Sequence, residues 1–591
     1  MKEKNEDYNK YYEIGKEIGR GPRFGIIYNA INNKTKEEKA IKIIEKNRII
    51  EYLRSKGIAD PTKNDIDVYL NGFLKEAYNM NILQGKNKEN INAVFIDECY
   101  KTENEYAIVM EKCDNNLFNH LADRDKSFNS KEICEILRQL NNSFRIMVEN
   151  KILHGAIKLQ NILLKYLNEE KTKYIVKLKI TDDSCSLNNT SNLISSVIEN
   201  NNLRISSSEI LKKEKDIKKC DLWSIGILIY LLYFKEFPFT GNDEKELLDN
   251  IKSIIEEGKL KKIDDDQLND LMNKLLIINP KDRITWEDYF YHSFFSYENF
   301  YTKGSIIGMG GFGYVCKAIK KDTGEERAIK IILKNSYNTY VSNREKTSYN
   351  TFIKSIKNEI NNMKIAQGIN KDNQNTVKLY EYFDMRDEFA IIMELCDCNL
   401  AYILNQKKEK NGGEEKNDKN EKNEIFTFNE ILEILTQLNN TFKILVKNKV
   451  IHRDLKLENI LLKKNENGQN IWKIVDYGVS KKLLTFSAQY FTSRVGTISY
   501  MAPEVLSGDK CNNKCDLWSL GIILYYLYFQ EVPYAGVTYE AVLDKIRTKG
   551  KKLLKKSGDN NFDNLISRLL EADPNKRISW EEYFKHPFLN K

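Results

Sequence analysis

Apolar and polar positions follow two successive rhythms in this chain, and the pair of rhythms occurs twice. Short alternating runs come first, as in IIYNAINNKTKEEKAIKII at residues 26–44 and YVCKAIKKDTGEERAIKII at residues 314–332. Alternation broken by turn residues predicts β-strands, whose side chains point to opposite faces in turn. Further along, apolar residues recur at three- and four-residue spacing, for example over residues 430–448, which predicts amphipathic helices. Two nearly unbroken apolar runs, residues 222–234 and 517–529, are too short to span a bilayer and read as buried core helices.

These runs belong to one long internal repeat. CDLWSIGILIYLLYFKEFPF at residues 220–239 returns as CDLWSLGIILYYLYFQEVPY at 515–534, and NPKDRITWEDYFYHSFF at 279–295 returns as DPNKRISWEEYFKHPFL at 573–589. YAIVMEKCDNNL at 106–117 likewise matches FAIIMELCDCNL at 389–400. Such a period is far too long for a solenoid unit and marks two whole domains of one fold. The expected class is α+β: two consecutive bilobal domains, residues 8–297 and 298–591, each with a β-rich small lobe followed by an α-helical large lobe. No Gly/Ser-rich or Pro-rich linker separates them, so the two domains are expected to touch. The polar stretch at residues 407–424 cannot bury apolar surface and reads as a disordered insert.

Composition narrows the class only modestly. With 41% hydrophobic and 30% charged residues the chain has globular character. A net charge of +8, from 93 basic and 85 acidic residues, is too weak a bias for a nucleic-acid footprint. Ten cysteines lack paired zinc-ligand spacing, and five histidines are too few for a His-rich metal site; free thiols in a reducing compartment are expected. The first twelve residues, MKEKNEDYNKYY, lack the apolar core of a signal peptide. No membrane span and a cytoplasmic location, with nuclear entry left open, are the expectation.

Candidate chemistry concentrates in the second half. Glycines at 308, 310 and 313, between Ile307 and Val315, let a backbone hairpin close over a polyphosphate, though a plain tight turn carries the same glycines. After Ala328, Lys330 puts a charge on an otherwise apolar strand, a costly placement unless a partner such as Glu359 offsets it. The segment HRDLKLEN at 452–459 supplies a carboxylate at Asp454 to take a proton and a cation at Lys456 to face a phosphoryl group. Asn459 and Asp476 are candidate Mg²⁺ ligands.

At this point the sequence resembles the eukaryotic protein kinase family, serine/threonine branch. The likeness runs in order through the glycine loop, Lys330, Glu359, the 452–459 segment, Asp476 with Tyr477 and Gly478, Ala502-Pro503-Glu504, Asp516 and Arg577. Tyr477 stands where phenylalanine is usual. The resemblance implies ATP binding by Ile307, Gly308, Gly310, Gly313, Val315, Ala328, Lys330 and Glu359, with Met393 as gatekeeper and Glu394 to Cys396 as the hinge for adenine. It implies a Glu504–Arg577 ion pair, an Asp516 cap under the catalytic loop, and a Thr497 next to the substrate platform that fits the serine/threonine branch. Arg453 implies control by an upstream activating kinase acting at Ser493, or second at Thr492. Glu458 matches an acidic position that favours basic substrates, but Tyr526 replaces its usual acidic companion.

In the first half the corresponding segment is HGAIKLQN at 154–161, with Gly155 for Arg453 and Ala156 for Asp454. A methyl group accepts no proton. The glycine loop at 19–25 carries an extra residue and Pro22, and Ser206-Ser207-Ser208-Glu209 replaces Met501-Ala502-Pro503-Glu504. Lys42, Glu76 and Asn161 are retained, and Asp182, followed by Asp183 and Ser184, is aligned with Asp476. The expectation is a regulatory pseudokinase preceding an active serine/threonine kinase that uses ATP and Mg²⁺ on protein substrates, with an intramolecular contact between the two. The alternative is a silent scaffold in which both halves only bind.

Overall fold

The computed structural model describes residues 3–20, 25–55, 57–86, 88–180, 185–186, 203–214, 217–336, 349–368, 372–412, 425–477, 497–509 and 512–590. The chain divides into two compact units, Met1–Ser296 and Tyr297–Lys591. Each begins with an antiparallel sheet and continues into a helical lobe, so both are α+β.

In the second unit the sheet runs in the spatial order Tyr301–Gly310, Gly313–Lys320, Glu326–Leu333, Glu388–Met393, Leu379–Asp384. The first unit repeats this order with Tyr12–Arg20, Ile26–Asn32, Glu38–Glu45, Glu105–Glu111 and Ile96–Lys101. It adds the short strand Glu3–Lys4, parallel to Ile96–Lys101 on the outer edge. Register is preserved as well: Lys330 lies opposite Ile391, and Lys42 opposite Ile108.

The helical lobes are built on matched signals. Helix Phe428–Lys447 opens with a capping box between Thr427 and Glu430, and helix Ser130–Glu149 with one between Asn129 and Glu132. Both apolar runs seen in the sequence form central helices, Cys220–Phe234 and Lys514–Phe529, which are buried almost throughout. Each ends in a left-handed residue, Lys235 or Gln530. No helix among the described residues is long and apolar enough to cross a membrane.

One expectation fails in part. The polar stretch from residue 407 is not wholly structureless, because helix Leu400–Gly412 runs on through its first residues. Lys407 pairs with Glu430 and donates to the Ile425 carbonyl at 3.0 Å, while Lys408 lies over the Tyr526 ring at 5.0 Å. Long amine side chains with such anchors hold a helix that composition alone would not. Residues 413–424 lie outside the described residues.

Each helical lobe is pinned by a buried arginine–glutamate fork. Arg283 donates to Glu209 at 2.6 and 3.0 Å, and Arg577 to Glu504 at 2.7 and 2.9 Å. Each arginine also holds backbone carbonyls, Ile277 and Lys219 in one case, Glu571 and Lys514 in the other. Replacing one partner strands a charge in the interior, which costs about 3–5 kcal/mol. Arg283→Met should therefore lower the denaturant midpoint of the full chain strongly, and the added change Glu209→Leu should recover much of the loss in the same unfolding measurement.

Candidate active site

The site in the second unit is assembled around a loop that a buried carboxylate holds in place. Asp516, in the first turn of helix Lys514–Phe529, accepts from the backbone N–H of His452 and of Arg453, both at 2.8 Å. The His452 ring bridges onward, with Nε2 3.0 Å from the Val475 carbonyl and Nδ1 3.3 Å from the Asp454 N–H. Burial holds this imidazole below its ordinary pKa, so it is neutral and can give at Nε2 and accept at Nδ1. Arg453 has φ +69° and Asp476 φ +62°. Left-handed backbone is costly for side chains with a Cβ, so the hydrogen bonds around both residues must hold them there.

Asp454 meets two partners. Lys456 Nζ donates to its Oδ2 at 2.8 Å, and Asn459 Nδ2 donates to the same oxygen at 3.0 Å and to the Asp454 carbonyl at 2.7 Å. With its amide nitrogen so engaged, Asn459 is left with its amide oxygen as a ligand atom. Beside this cluster Lys330 joins Glu359 at 2.7 Å and also contacts Asp476. Burial opposes a charge on Lys330, but Asp476 and Glu359 together keep its ammonium pKa raised. Burial would likewise lift the Asp476 carboxyl; Lys330, with Lys456 behind it, holds it lowered instead. Glu359, on helix Tyr349–Ala366, is raised by burial against the pull of Lys330.

The glycine hairpin connects Tyr301–Gly310 to Gly313–Lys320. A Cβ at 313 would stand 1.8 Å from the Ile331 carbonyl oxygen, so packing demands glycine there. At 308 and 310 the nearest atoms would be 3.9 and 3.6 Å away, so the fold itself has room for a Cβ and glycine keeps that room open. Ile307 is exposed and Val315 half-buried on these strands, and Ala328 is buried opposite Met393 in the sheet. Met393 is buried at the end of its strand. Glu394 turns its carboxylate to Lys473 at 3.1 Å, and the Cys396 thiol is pushed up to about 12 by burial and then by Glu394. Thr497 opens a short 3-10 turn, Thr497–Tyr500, and its side chain lies outside the described residues. Gly478, Thr492 and Ser493 also lie outside them.

A family model described as the protein kinase domain matches residues 12–295 and again residues 301–589. The chain belongs to the protein kinase family. Similar proteins include serine/threonine-protein kinase 33 of Mus musculus, 30% identical over 49% of this chain and 55% of its own length. Calcium-dependent protein kinase 5 of Plasmodium falciparum is 31% identical over 48% of this chain and 44% of its own. Serine/threonine-protein kinase atg1 of Dictyostelium discoideum is 31% identical over 48% of this chain and 38% of its own. The chain thus spans about half, or less, of the length of the curated relatives it matches.

The first kinase unit keeps the same scaffold around different chemistry. Asp221 accepts from the N–H of His154 at 2.7 Å and of Gly155 at 2.9 Å, and His154 Nε2 lies 2.9 Å from the Lys179 carbonyl. Asn161 donates to the Ala156 carbonyl at 2.8 Å, as Asn459 does to that of Asp454, but finds no carboxylate there. Lys42 and Glu76 pair at 2.5 Å and are both fully buried, whereas the Lys330 side chain is 20% exposed.

The hydrogen bonds also revise the alignment of Asp182. Lys179 and Val475 are equivalent, since each N–H donates to the loop asparagine carbonyl (Asn161 or Asn459) and each carbonyl faces the histidine. The residue that follows is Asp476 in one unit and Ile180, fully buried, in the other. Asp182 comes two positions later and lies outside the described residues. The sequence signal was available: Lys177 matches Lys473, and counting onward from either reaches Ile180 and Asp476. The shared aspartate drew the alignment two residues too far.

Burial lowers the His154 pKa to about 4 from the usual 6.5. A lowered histidine means the unfolded chain binds the extra proton first. The stability it contributes is complete above about pH 6.5 and is lost as pH falls through that window toward 4. In an NMR titration of the five histidines, His154 should stay neutral to about pH 4.

Proposed function

We propose that the second unit is an active serine/threonine protein kinase, transferring the γ-phosphoryl group of ATP to hydroxyls of protein substrates, and that the first is a regulatory pseudokinase. The observation that carries this reading is the convergence of Lys456 and Asn459 on the Asp454 carboxylate, beside the Lys330–Glu359–Asp476 cluster. Family membership and the named serine/threonine kinases among the similar proteins support the same class.

The residues fit both ATP and Mg²⁺. Asn459 and Asp476 offer hard oxygen donors of the kind Mg²⁺ takes, and Gly308 and Gly310 leave open the space a polyphosphate needs. Bound Mg²⁺ would neutralise phosphate charge and favour an in-line arrangement. Lys330, held by Glu359, would steady the α- and β-phosphates. Asp454 would accept the substrate hydroxyl proton as that oxygen bonds to the γ-phosphorus and the bridging bond to ADP breaks. Lys456 would offset the charge on the transferring group. Adenine would sit against Met393 and the backbone from Glu394 to Cys396.

Arg453 supports regulation by phosphorylation at Ser493 or Thr492, since its Nε is buried and has no hydrogen-bond partner among the described residues. A phosphate supplies about two negative charges for such a guanidinium. The first unit lacks both the base, at Ala156, and an oxygen at the metal position, at Ile180. A cytoplasmic location is part of the proposal.

Two experiments test it. Mg²⁺-ATP transfer to a generic basic protein should fall about 10²–10⁴-fold in Asp454→Asn of the full chain, and equal rates in wild type and variant would remove the second unit as the source. In the Asp454→Asn background, the added change Ala156→Asp should restore nothing, because Ile180 still supplies no ligand. Recovered transfer would show that the first unit keeps a metal site of its own.

A further inference from the structure

Tyr477 carries one atom more than the phenylalanine usual at its position, and that hydroxyl is fully engaged. The ring is buried, and its Oη meets Thr376 Oγ1 and lies 3.2 Å from the Ile474 carbonyl. Thr376, also buried, reaches the same carbonyl at 3.4 Å. Two hydroxyls and one carbonyl form a closed triangle in which one hydroxyl donates to the other and the other to the carbonyl. A buried hydroxyl left without a partner is destabilising, so the triangle fixes the ring.

The anchor is firm because Thr376 is itself tied to the strand leading into the site. The Val377 N–H donates to Ile474 O at 2.9 Å and the Ile474 N–H to Asn375 O at 3.1 Å. Ile474 ends strand Asn470–Ile474, two residues before Asp476. Tyr477 also touches the two other parts of the site. Its carbonyl accepts from Asn362 Nδ2 at 3.2 Å, one helical turn beyond Glu359, and its ring lies 5.2 Å from that of His452. The residue it adjoins, Asp476, is the one held in left-handed backbone against Lys330. In the first unit Ala93, which has no hydroxyl, occupies the place of Thr376, as the matching bridges to Leu178 and Ile474 show.

We propose that the Tyr477 hydroxyl, through Thr376 and the Ile474 carbonyl, is a positioning group that holds Asp476 against Lys330 and so sets how strongly Mg²⁺ tightens nucleotide binding in the second unit. This rests on the reading of Asp476 as a metal-holding residue. The hydroxyl touches no reacting atom; it acts through Asp476, and its loss should register in metal-dependent binding rather than in binding generally.

The test is calorimetric titration of ADP into the full-length chain, with Mg²⁺ and with EDTA. The variants are Tyr477→Phe, Thr376→Val, Thr376→Ser and the double Tyr477→Phe/Thr376→Val, with Asp476→Asn as the benchmark for a lost ligand. Tyr477→Phe and Thr376→Val should each reduce the Mg²⁺-dependent tightening roughly 5–30-fold and leave ADP binding in EDTA unchanged. Thr376→Ser, which keeps a hydroxyl, should stay near wild type, and the double variant should be no worse than either single. Should Tyr477→Phe fail to fold, Thr376→Val against Thr376→Ser carries the same comparison. Undiminished tightening in the hydroxyl-less variants, equal losses with and without Mg²⁺, or no Mg²⁺ effect in the wild type would each overturn the proposal. Phosphoryl transfer measured alongside separates the two readings: a wild type that binds Mg²⁺-ADP tightly yet transfers nothing would defeat the kinase assignment and leave the positioning role standing.

Discussion

A buried carboxylate at the start of a central helix takes the N–H groups of two successive loop residues, and both halves of this chain are organised around that contact. Asp516 does so for His452 and Arg453, Asp221 for His154 and Gly155. Burial raises the pKa of both carboxyls, Asp221 to about 6, and the two N–H groups oppose that rise, joined at Asp516 by the His452 and Arg453 side chains. From that point the histidine reaches the strand ahead of Asp476 or Ile180, and the loop asparagine turns back to fix the carbonyl of Asp454 or Ala156. The backbone at Asp454 or Ala156 is thus positioned by the aspartate, histidine and asparagine side chains, whatever side chain that residue itself carries.

That separation explains how the two units keep one shape while differing at the positions of Asp454 and Asp476. Ala156 and Ile180 stand where the second unit has the carboxylates of Asp454 and Asp476, yet neither position supplies a side-chain hydrogen bond that holds the loop. The buried forks Glu209–Arg283 and Glu504–Arg577 follow the same logic at the other end of the lobe. Trp223 stacks on Phe239 and Trp518 on Tyr534 with the same 5.6 Å spacing.

Most of this could be read in the sequence because it depends on local patterns. Alternation and helical spacing marked the lobes, and the cluster of Lys330, Glu359, Asp454, Asn459 and Asp476 came from motif residues at fixed intervals. What escaped depends on contacts between distant segments. The helix through Lys407 is held by Glu430 and Ile425, beyond the reach of composition. Ile180, not Asp182, is the counterpart of Asp476, because the turn between the paired strands is two residues longer in the first unit and not the four that Asp182 would need, which strand register makes plain. The hydroxyl of Tyr477 looked like a mild substitution until Thr376, about a hundred residues earlier in the chain, was seen to meet it.

Gly155 has a consequence of its own. It stands at φ +74° where the other half places Arg453 at +69°, so the loop kept its bend while the side chain that strained it disappeared. Relief of a left-handed Cβ is worth about 1–2 kcal/mol, and the greater freedom of glycine in the unfolded chain takes back up to about 1. The first unit therefore turns at Gly155 with somewhat less local strain than the second does at Arg453. A side chain placed at 155 would have to be held in the left-handed region by its neighbours, as Arg453 is by Asp516.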